Sequence, residues 1–491
     1  MSGDALKKLY EKIPTGVKSA FAPLFVRAMV DNRIYRETWE ELERYEAMPA
    51  EERHEFQLMA LRAQLEYAYS YVPYYKALFD EFSVDLLASD IEAELAKLPL
   101  LEKSDAIAAG DALYSTDAGL SYFETFTGGS SGQALRVLLD KDSVYRERAF
   151  ACYGYAKHGF DPRTSKTAAF WGHNKQMNYY FSPLKNEIVI SPFRLYREVS
   201  AEGIVHDIKK FGATFLAGYP SAIFQLVKAM ETEGLHMPVS HVFYYAENYE
   251  PDKRDFVNAY LGCTSSSDYG HTEHAVKAEV GDDFVRFNDL YGYTELVPME
   301  GTEDEFRVVC TGFTSRKMPL IRYATDDVVE VAADGTRHLV GHKKSDVFLV
   351  GKNGARIFKG AMTLHVDELA GITAYQYRQT EAGRAELHLV APGGLSESQE
   401  ENVMQYIRRR TEGLLDVEIR YVDKVKTSNR GKALWAVIDR GGALSECRCS
   451  GSNFSCHGFS QCEDQRLLGG PSCREAPLSP SARLSDLPSA A

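Results

Sequence analysis

Cysteine is scarce over most of the chain. Only Cys152, Cys263 and Cys310, three of the eight cysteines, lie within residues 1–440. This usage is typical of a protein from a reducing compartment, and it argues against a secreted, disulfide-stabilised fold. The other five cysteines lie in the last 51 residues, and none of them forms a Cys-x-x-Cys pair, so their spacing does not favour a zinc site. We expect residues 441–491, which show neither helical nor strand periodicity, to be a disordered tail.

Positive charge and long apolar runs are also lacking. The 56 Lys and Arg residues are outnumbered by 70 Asp and Glu residues, whereas binding to nucleic acid or to an anionic membrane depends on clustered cations. No apolar run reaches the roughly 18–20 residues of a membrane-spanning helix, and the N-terminal segment has no signal-peptide pattern. The 491 residues, 44% of them hydrophobic, are enough for two or three folded domains. We therefore expect an acidic, cytoplasmic protein with no membrane span and no nucleic-acid partner.

Helix and strand patterns alternate along the middle of the chain. Leu58, Leu61, Leu65 and Tyr69 recur at helical spacing, and Pro73 is expected to end that helix. The later patterns predict the following order: strand Leu135–Leu139, helix Ser143–Lys157, strand Thr214–Gly218, a helix from Pro220, strand Val239–Ala246, helix Pro251–Leu261 and strand Thr264–Tyr269. This alternation is typical of an α/β fold with a largely parallel sheet, in which ligands bind in the loops at the carboxyl ends of the strands.

Two of these loops carry residues suited to binding phosphate. Residues 127–132, Thr-Gly-Gly-Ser-Ser-Gly, would let the backbone approach a phosphate closely, although such a run on its own is more often a flexible turn. Thr272 and Glu273 are adjacent in a second loop, where they can hold a phosphate and its magnesium ion; the alternative is a turn with a solvated glutamate. His271 and His274 in the same loop suggest a metal site, but they have no third ligand nearby in the sequence.

Two later loops can complete a nucleotide site. Asp327, at the end of the segment Ile321–Asp327, can accept hydrogen bonds from a ribose diol. Lys432, on the glycine-containing loop 426–432, can bring a mobile positive charge to a phosphate. Each loop taken alone is equally compatible with an ordinary surface turn.

Taken together and in this order, the loops resemble the motifs of the adenylate-forming ligase superfamily. The matching segments are Thr-Gly-Gly-Ser-Ser-Gly at 127–132, Tyr-Gly-x-Thr-Glu at 269–273, Arg-Tyr-x-Thr-x-Asp at 322–327, Gly-x-x-x-x-Asp at 341–346 and Lys-Thr-x-x-x-Gly-Lys at 426–432. Within the superfamily, the chain resembles the branch that contains phenylacetate-CoA ligases and the capsular-polysaccharide protein CapK. Segments Val72–Tyr75 and Gly218–Ser221, and Ala246-Glu247 followed by Arg254, support that branch. The resemblance covers about residues 55–440.

The resemblance implies an enzyme that makes an acyl-adenylate and pyrophosphate from a carboxylic acid and MgATP. The acyl group would then usually pass to a thiol, either coenzyme A or the pantetheine of an acyl-carrier protein, although the motifs are equally compatible with an amine, a hydroxyl or no acceptor. An adenylyltransferase that leaves AMP on its substrate is one alternative, and a degenerate member that binds nucleotide without turnover is another. The acid itself is not specified by the motifs. Aromatic residues such as Phe170, Phe181 and Tyr219 are candidates for its pocket, although aromatic residues in such positions are more often part of the core.

The resemblance also assigns roles to individual residues. Thr127, Gly128, Gly129, Ser130, Ser131 and Gly132 would surround the β- and γ-phosphates of ATP, and Ala246, Glu247, Tyr269 and Gly270 would line the adenine. The remaining contacts would be Thr272 with the α-phosphate, Glu273 with Mg²⁺, Asp327 with the ribose hydroxyls and Lys432 with both the α-phosphate and the attacking carboxylate.

Two positions depart from the superfamily pattern. Asp326 replaces the usual glycine before Asp327, which adds a carboxylate beside the ribose site. His342 replaces the usual arginine after Gly341, so that a permanent cation is lost, although the imidazole can still donate a hydrogen bond to the nucleotide. These departures are the reason why a non-catalytic member remains an alternative.

The same resemblance predicts the domain organisation. Residues 1–342 would form a large multi-layer α/β adenylation domain and residues 343–346 a hinge. Residues 347–440 would form a small, mobile α+β domain that acts as a lid over the active site.

Overall fold

The computed structural model describes residues 21–127, 135–171, 178–198, 200–299, 302–339, 348–357, 362, 364, 372, 374–391, 393–426 and 435–439. These residues belong to one compact unit. The predicted hinge, the predicted tail, and the loops that carry Gly128–Gly132, His342 and Lys432 lie outside the described residues.

The α-helices of the described residues follow one another as α1 (Ala22–Val30), α2 (Arg33–Ala47), α3 (Ala50–Tyr71), α4 (Pro73–Glu81), α5 (Ile91–Ala96), α6 (Lys103–Ala109), α7 (Lys141–Ala156), α8 (Arg194–Glu198), α9 (Glu202–Phe211), α10 (Pro220–Glu233), α11 (Pro251–Leu261) and α12 (Glu397–Arg410). None of them is long and apolar enough to cross a bilayer.

The strands are β1 (Tyr122–Phe126), β2 (Arg136–Asp140), β3 (Thr167–Phe170), β4 (Tyr180–Ser182), β5 (Glu187–Ile190), β6 (Phe215–Gly218), β7 (His241–Tyr245), β8 (Thr264–Gly270), β9 (Lys277–Val280), β10 (Val285–Phe287), β11 (Gly292–Pro298), β12 (Glu305–Gly312), β13 (Tyr323–Val331), β14 (Arg337–Leu339), β15 (Leu349–Val350), β16 (Arg356–Ile357), β17 (Ala374–Glu381), β18 (Arg384–Val390), β19 (Asp416–Tyr421) and β20 (Ala436–Ile438).

Helix boundaries follow from local chemistry. Proline occupies the first turn of α4, α10 and α11, where its missing N–H is not needed for a helical hydrogen bond. Pro73 therefore starts α4, one residue after α3 has ended, instead of only ending the preceding helix. The carboxylate of Asp140 caps α7 by accepting a hydrogen bond from the Ser143 N–H at 2.9 Å. Gly234 and Gly262 end α10 and α11 in the left-handed conformation that favours glycine.

An eight-stranded sheet in the order β10-β9-β8-β7-β6-β3-β5-β4 forms the centre of the fold. Strands β5, β3, β6, β7 and β8 run parallel, while β4, β9 and β10 join the two edges antiparallel. Strands β3, β5 and β6 are buried along their whole length, because helices α9–α11 cover one face of the sheet and α1 and α7 cover the other. The predicted α/β class is confirmed, and the parallel part of the sheet is its middle.

A second large sheet completes the larger part of the fold. Strands β11–β14 form an antiparallel sheet in sequential order, and its apolar residues share a core with α3, α4, the β2 strand and the ends of β8 and β9. The central sheet and the β11–β14 sheet are therefore joined through one hydrophobic cluster. This packing brings the carboxyl end of β8 close to β13.

The C-terminal described residues have a core of their own. Strands β17–β20 form a mixed sheet in the order β19-β18-β17-β20, and α12 packs on it through Val403, Tyr406 and Ile407. Phe193, from the segment before α8, also packs into this cluster. The mixture of a helix with antiparallel and parallel strand pairs agrees with the predicted small α+β region; the mobility of that region and its exact boundaries stay predictions.

Candidate active site

A pocket of about 190 Å³ lies at the carboxyl ends of β7 and β8. It is lined by four of the predicted adenine contacts, Ala246, Glu247, Tyr269 and Gly270. Strands β7 and β8 are parallel neighbours, with Tyr245 paired to Asp268, so residues that follow β7 meet residues that end β8. The structure thus brings together residues that are more than twenty positions apart in the sequence.

The backbone after β7 is shaped for this pocket. Ala246 has a φ of 68°, a left-handed conformation that is uncommon for a residue with a side chain, and it turns the chain at the end of the strand. Asn248 donates a hydrogen bond to the carbonyl oxygen of Leu339 at 2.9 Å, and Leu339 also lines the pocket. Strand β14 is thereby held as one wall of the pocket.

Glu247 is the polar group with the most unusual surroundings in the pocket. One of its carboxyl oxygens, Oε2, accepts a hydrogen bond from the backbone N–H of Ser221 at 3.3 Å. The other, Oε1, is buried and has no hydrogen-bond partner among the described residues. Burial raises the pKa of Glu247, against the hydrogen bonds from Ser221 that lower it. A buried carboxyl oxygen without a partner is costly, and a ligand that donates a hydrogen bond here would relieve that cost.

Asp327 is held by two side chains that come from the end of β8. Its Oδ2 accepts hydrogen bonds from the Tyr269 hydroxyl at 2.9 Å and from His271 Nε2 at 2.7 Å. The rings of Tyr269 and His271 make an edge-to-face contact with centroids 4.9 Å apart. Burial alone would lower the pKa of His271, but the hydrogen bond and the charge of Asp327, with Glu273 and Asp326 nearby, raise it above its usual value. The ion pair therefore favours a charged imidazole beside the predicted ribose contact.

Glu273 is also connected to β13. The hydroxyl of Tyr323 donates a hydrogen bond to Glu273 Oε1 at 3.2 Å, so the second residue of the Arg-Tyr-x-Thr-x-Asp motif supports the last residue of the Tyr-Gly-x-Thr-Glu motif. Thr272, between His271 and Glu273, is exposed. The turn after β8 thus presents a hydroxyl and a carboxylate to solvent close to Asp327.

A single carboxylate suits magnesium that arrives with a nucleotide. Mg²⁺ is commonly bound by one or two carboxylates together with substrate phosphates and water. Among the described residues there is no group of three or more His, Cys, Asp or Glu side chains that could hold a metal ion by itself. Glu273 could instead serve as the one carboxylate that binds Mg²⁺ together with phosphates and water. The two histidines of the turn do not converge on one point, because His271 bonds to Asp327 while His274 Nδ1 lies 3.0 Å from the Ser143 hydroxyl.

Thr127 closes the base of the predicted phosphate loop. Its N–H donates to the carbonyl oxygen of Leu135 at 3.0 Å, and its hydroxyl accepts from the Leu135 N–H at 3.0 Å. These two bonds extend the β1–β2 hairpin up to residues 128–134, which lie outside the described residues. Thr127 is buried, so the structure assigns it a bracing contact, and its contact with phosphate stays a prediction.

Charged side chains lie on β9, the strand that pairs with the end of β8, and around it. Lys277 is paired with Gly270 across β8 and β9, and its ammonium lies 3.3 Å from Glu147 of α7. Their side chains keep 15% and 30% of their surface exposed, so solvent reaches both. Burial raises the pKa of Asp268, and the positive charge of Lys277 offsets only part of that rise. The surroundings of the Thr272–Glu273 turn are therefore polar on this side.

Two residues that the sequence patterns left without a role position the β13 motif. Tyr75 is buried, donates to the Pro319 carbonyl oxygen at 3.1 Å and accepts from the Ile321 N–H at 3.0 Å. Arg322, with a φ of 49°, makes two hydrogen bonds to Glu295 at 2.8 and 3.1 Å. These contacts fix the chain just before Tyr323 and Asp327. Both residues lie in segments that carry the resemblance, Val72–Tyr75 and Arg-Tyr-x-Thr-x-Asp at 322–327, but the motifs assign neither of them a role.

Comparison with known proteins supplies one significant curated relative. The chain is 22% identical to protein CapK of Staphylococcus aureus over 257 residues, which are 49% of this chain and 54% of CapK. The chain therefore spans about half the length of the curated relative that it matches. No protein-family model matches the chain.

Two solved structures, one of a CoA ligase and one of an acyl-CoA synthetase, align with this chain at low identity. The structure of 2-hydroxyisobutyryl-CoA ligase in the postadenylation state with R3-HIB-AMP aligns at 15% identity and a TM-score of 0.49, over 81% of this chain and 92% of that one. An acyl-CoA synthetase of Brucella canis aligns at 16% identity and a TM-score of 0.33, over 63% of this chain and 62% of that one. The resemblance to CapK that the motifs predict is thus found over part of the chain, while the superfamily's activity and the roles of single residues stay predictions that rest on this chain's own geometry.

Proposed function

We propose that the chain is an AMP-forming ligase that activates a carboxylic acid with MgATP. The observation that carries the proposal is the convergence of three separated motifs. Glu247, Tyr269 and Gly270 line one pocket, and Asp327 is hydrogen-bonded to Tyr269 from a different sheet. Weak motifs that occur in order along a chain can arise independently, but side chains that meet in space are expected of a single binding site.

The pocket suits a nucleobase. The buried, unpaired Oε1 of Glu247 can accept a hydrogen bond from an exocyclic amino group such as that of adenine. Tyr269 lines the same pocket, and Gly270 lets a flat ligand approach the backbone. Asp327 would then take the ribose hydroxyls, and the exposed Thr272 would contact the α-phosphate.

The chemistry asked of the protein is mainly positioning and charge stabilisation. Glu273 would hold Mg²⁺ together with the phosphates of ATP, and Mg²⁺ would offset the negative charge of those phosphates. Lys432 would bridge the attacking carboxylate and the α-phosphate, where negative charge accumulates as the new bond forms. The products are an acyl-adenylate and pyrophosphate, and the acyl group would pass to a thiol such as that of coenzyme A.

The carboxylic acid that the proposed ligase activates has to be identified by experiment. Phe170 and Phe181, which were candidates for an aromatic pocket, are buried in the core of the central sheet, so they are not exposed to a substrate. The aromatic-rich stretches of the sequence favour an aryl or a medium-sized apolar acid. The Glu147–Lys277 pair beside the β8–β9 turn supports including polar acids, such as hydroxy acids and amino acids, in any substrate panel.

Pyrophosphate release from ATP tests the proposal directly. The full chain is assayed across a panel of aryl, aliphatic, hydroxy and amino acids, with and without coenzyme A, and Lys432→Ala is the matched control. We expect acid-dependent release that Lys432→Ala lowers by roughly two to three orders of magnitude. A stable AMP–substrate product that does not depend on a thiol would favour the adenylyltransferase alternative, and ATP binding without any release would favour the non-catalytic one.

A further inference from the structure

His271 occupies the variable position of the Tyr-Gly-x-Thr-Glu motif, and its side chain reaches into the next motif. Its Nε2 lies 2.7 Å from Asp327 Oδ2, although 56 residues separate the two along the chain. We propose that His271 is a nucleotide-positioning residue, which fixes the carboxylate of Asp327 for the ribose hydroxyls of ATP. This inference rests on the proposed function, because it presupposes that Asp327 contacts a ribose.

Asp327 is held both through its backbone and through its carboxylate. Its backbone N–H donates to the Thr325 hydroxyl at 3.2 Å, and that hydroxyl donates to the Val308 carbonyl oxygen at 2.7 Å. On the side-chain end, Tyr269 and His271 both donate to Oδ2. The terminal torsion of an aspartate is otherwise broad, and these two donors leave the carboxylate one orientation.

Fixing an acceptor before the ligand arrives has a defined benefit. A side chain that is already ordered loses less conformational entropy when the ligand binds, so more of the interaction appears as affinity. His271 and Asp327 keep 13% and 14% of their side-chain surface exposed, so solvent and a ligand can reach the pair.

The position of His271 also links two parts of the proposed site. It directly precedes Thr272 and Glu273, the expected contacts of the α-phosphate and Mg²⁺, and Tyr269, its ring neighbour, lines the nucleobase pocket. The hydrogen bond from His271 to Asp327 therefore couples the phosphate turn after β8 to the ribose contact on β13. Loss of the imidazole should weaken recognition of the ribose in particular.

The test compares ATP with 2′,3′-dideoxy-ATP, which keeps the base and the phosphates but lacks both ribose hydroxyls. Dissociation constants for the two nucleotides are measured by calorimetry on the full chain and on His271→Leu, His271→Gln and Asp327→Asn. His206→Leu, a change at an exposed histidine of α9, is the matched control. Because dideoxy-ATP retains the other contacts, it also reports whether each variant still has a folded site.

We expect the unaltered chain to prefer ATP by about tenfold or more, the scale of one hydrogen bond to a charged group. His271→Leu and Asp327→Asn should each bring that preference close to one while binding of dideoxy-ATP changes little. His271→Gln should restore part of the preference, because its amide can donate to the carboxylate. The double variant His271→Leu/Asp327→Asn should lose no more of the preference for ATP than either single variant does, since the two residues act as a unit.

Two results would overturn the inference alone. One is that His271→Leu prefers ATP as strongly as the unaltered chain does, and the other is that it loses equal affinity for ATP and for dideoxy-ATP. Binding of neither nucleotide by the unaltered chain would instead overturn the proposed function, and the inference with it.

Discussion

His241, buried at the start of β7, should make the stability of the central sheet depend on pH. The side chain is 1% exposed. Its Nδ1 lies 2.8 Å from the Thr264 hydroxyl, and its Nε2 lies 3.0 Å from the Ser266 hydroxyl. The imidazole is also stacked on that of His158, with ring centroids 3.9 Å apart and planes inclined by 16°. Proton uptake by His241 would place a charge in this enclosed position.

Burial, together with the neighbouring His158, lowers the pKa of His241 from 6.5 to about 4. Between these two values the unfolded chain binds the proton and the folded chain does not, so the free energy of unfolding must fall as the pH falls. One pKa unit corresponds to about 1.4 kcal/mol, and the full shift therefore corresponds to about 3 kcal/mol. By about pH 5, His241 alone should have removed about 2 kcal/mol of the stability that is present above about pH 7.

Replacing His241 by phenylalanine isolates this contribution. The variant is expected to be less stable near neutral pH, because the Thr264 and Ser266 hydroxyls lose a partner, but this cost does not vary with pH. Urea unfolding at about pH 7.5 and about pH 5, followed by circular dichroism, gives the change in free energy for each protein. The unaltered chain should lose about 2 kcal/mol more than His241→Phe over this interval.

The comparison subtracts the contributions of other titrating groups. His274, whose pKa burial also lowers, and Glu147, whose pKa Lys277 lowers against the effect of burial, are present in both proteins. His206→Phe, at an exposed position of α9, should behave as the unaltered chain does. If His241→Phe and the unaltered chain lose the same free energy on acidification, the reasoning from burial to a lowered pKa is wrong.

Three other changes have distinct expected results. Lys432→Ala should lower ATP–pyrophosphate exchange by roughly two to three orders of magnitude, the scale for one preorganised transition-state contact; an unchanged rate would contradict its assigned role. Gly218→Ala should destabilise the chain by about 3 kcal/mol or more, because φ is 131° and a Cβ would lie 2.2 Å from a carbonyl oxygen of β3. The control Gly234→Ala should cost only about 1–2 kcal/mol, because φ is also positive there but a Cβ would have open space around it. Tyr75→Phe should cost about 1–3 kcal/mol in urea unfolding, since both of its backbone partners lose a hydrogen bond in the core, and the exposed Tyr71→Phe should be close to neutral.

The alternation of elements could be predicted because it depends on local patterns. The predicted strand Val239–Ala246 corresponds to β7, and the predicted helix Pro251–Leu261 is α11 with the same bounds. The antiparallel edges were not foreseen. Strands β4, β9 and β10 have three or four residues each, too few for a period of two to stand out from the surrounding loops.

The candidate site was predictable in its membership but not in its contacts. The motifs named Tyr269 and Asp327, yet no pattern indicated that the tyrosine hydroxyl would bond to the aspartate. The sequence indicates His271 only as a candidate metal ligand, because nothing in it relates His271 to a residue on another sheet. The role of Tyr75, 244 residues away from Pro319, depends in the same way on tertiary packing.

These long-range bonds give a physical reason why motifs that are weak individually are informative together. Ser221, which follows β6, donates a hydrogen bond to Glu247, which follows β7. At the end of β8, Tyr269 and His271 both bond to Asp327 of β13. In return, Tyr323 of β13 donates a hydrogen bond to Glu273 in the turn after β8. Each bond joins residues of two different motifs, so a change in one motif leaves a polar group of the other without its partner, at a cost of about 1–3 kcal/mol for a buried group. The bonds therefore tie the motifs to one another through the stability of the fold, and this coupling is why the motifs are more informative as a set than singly.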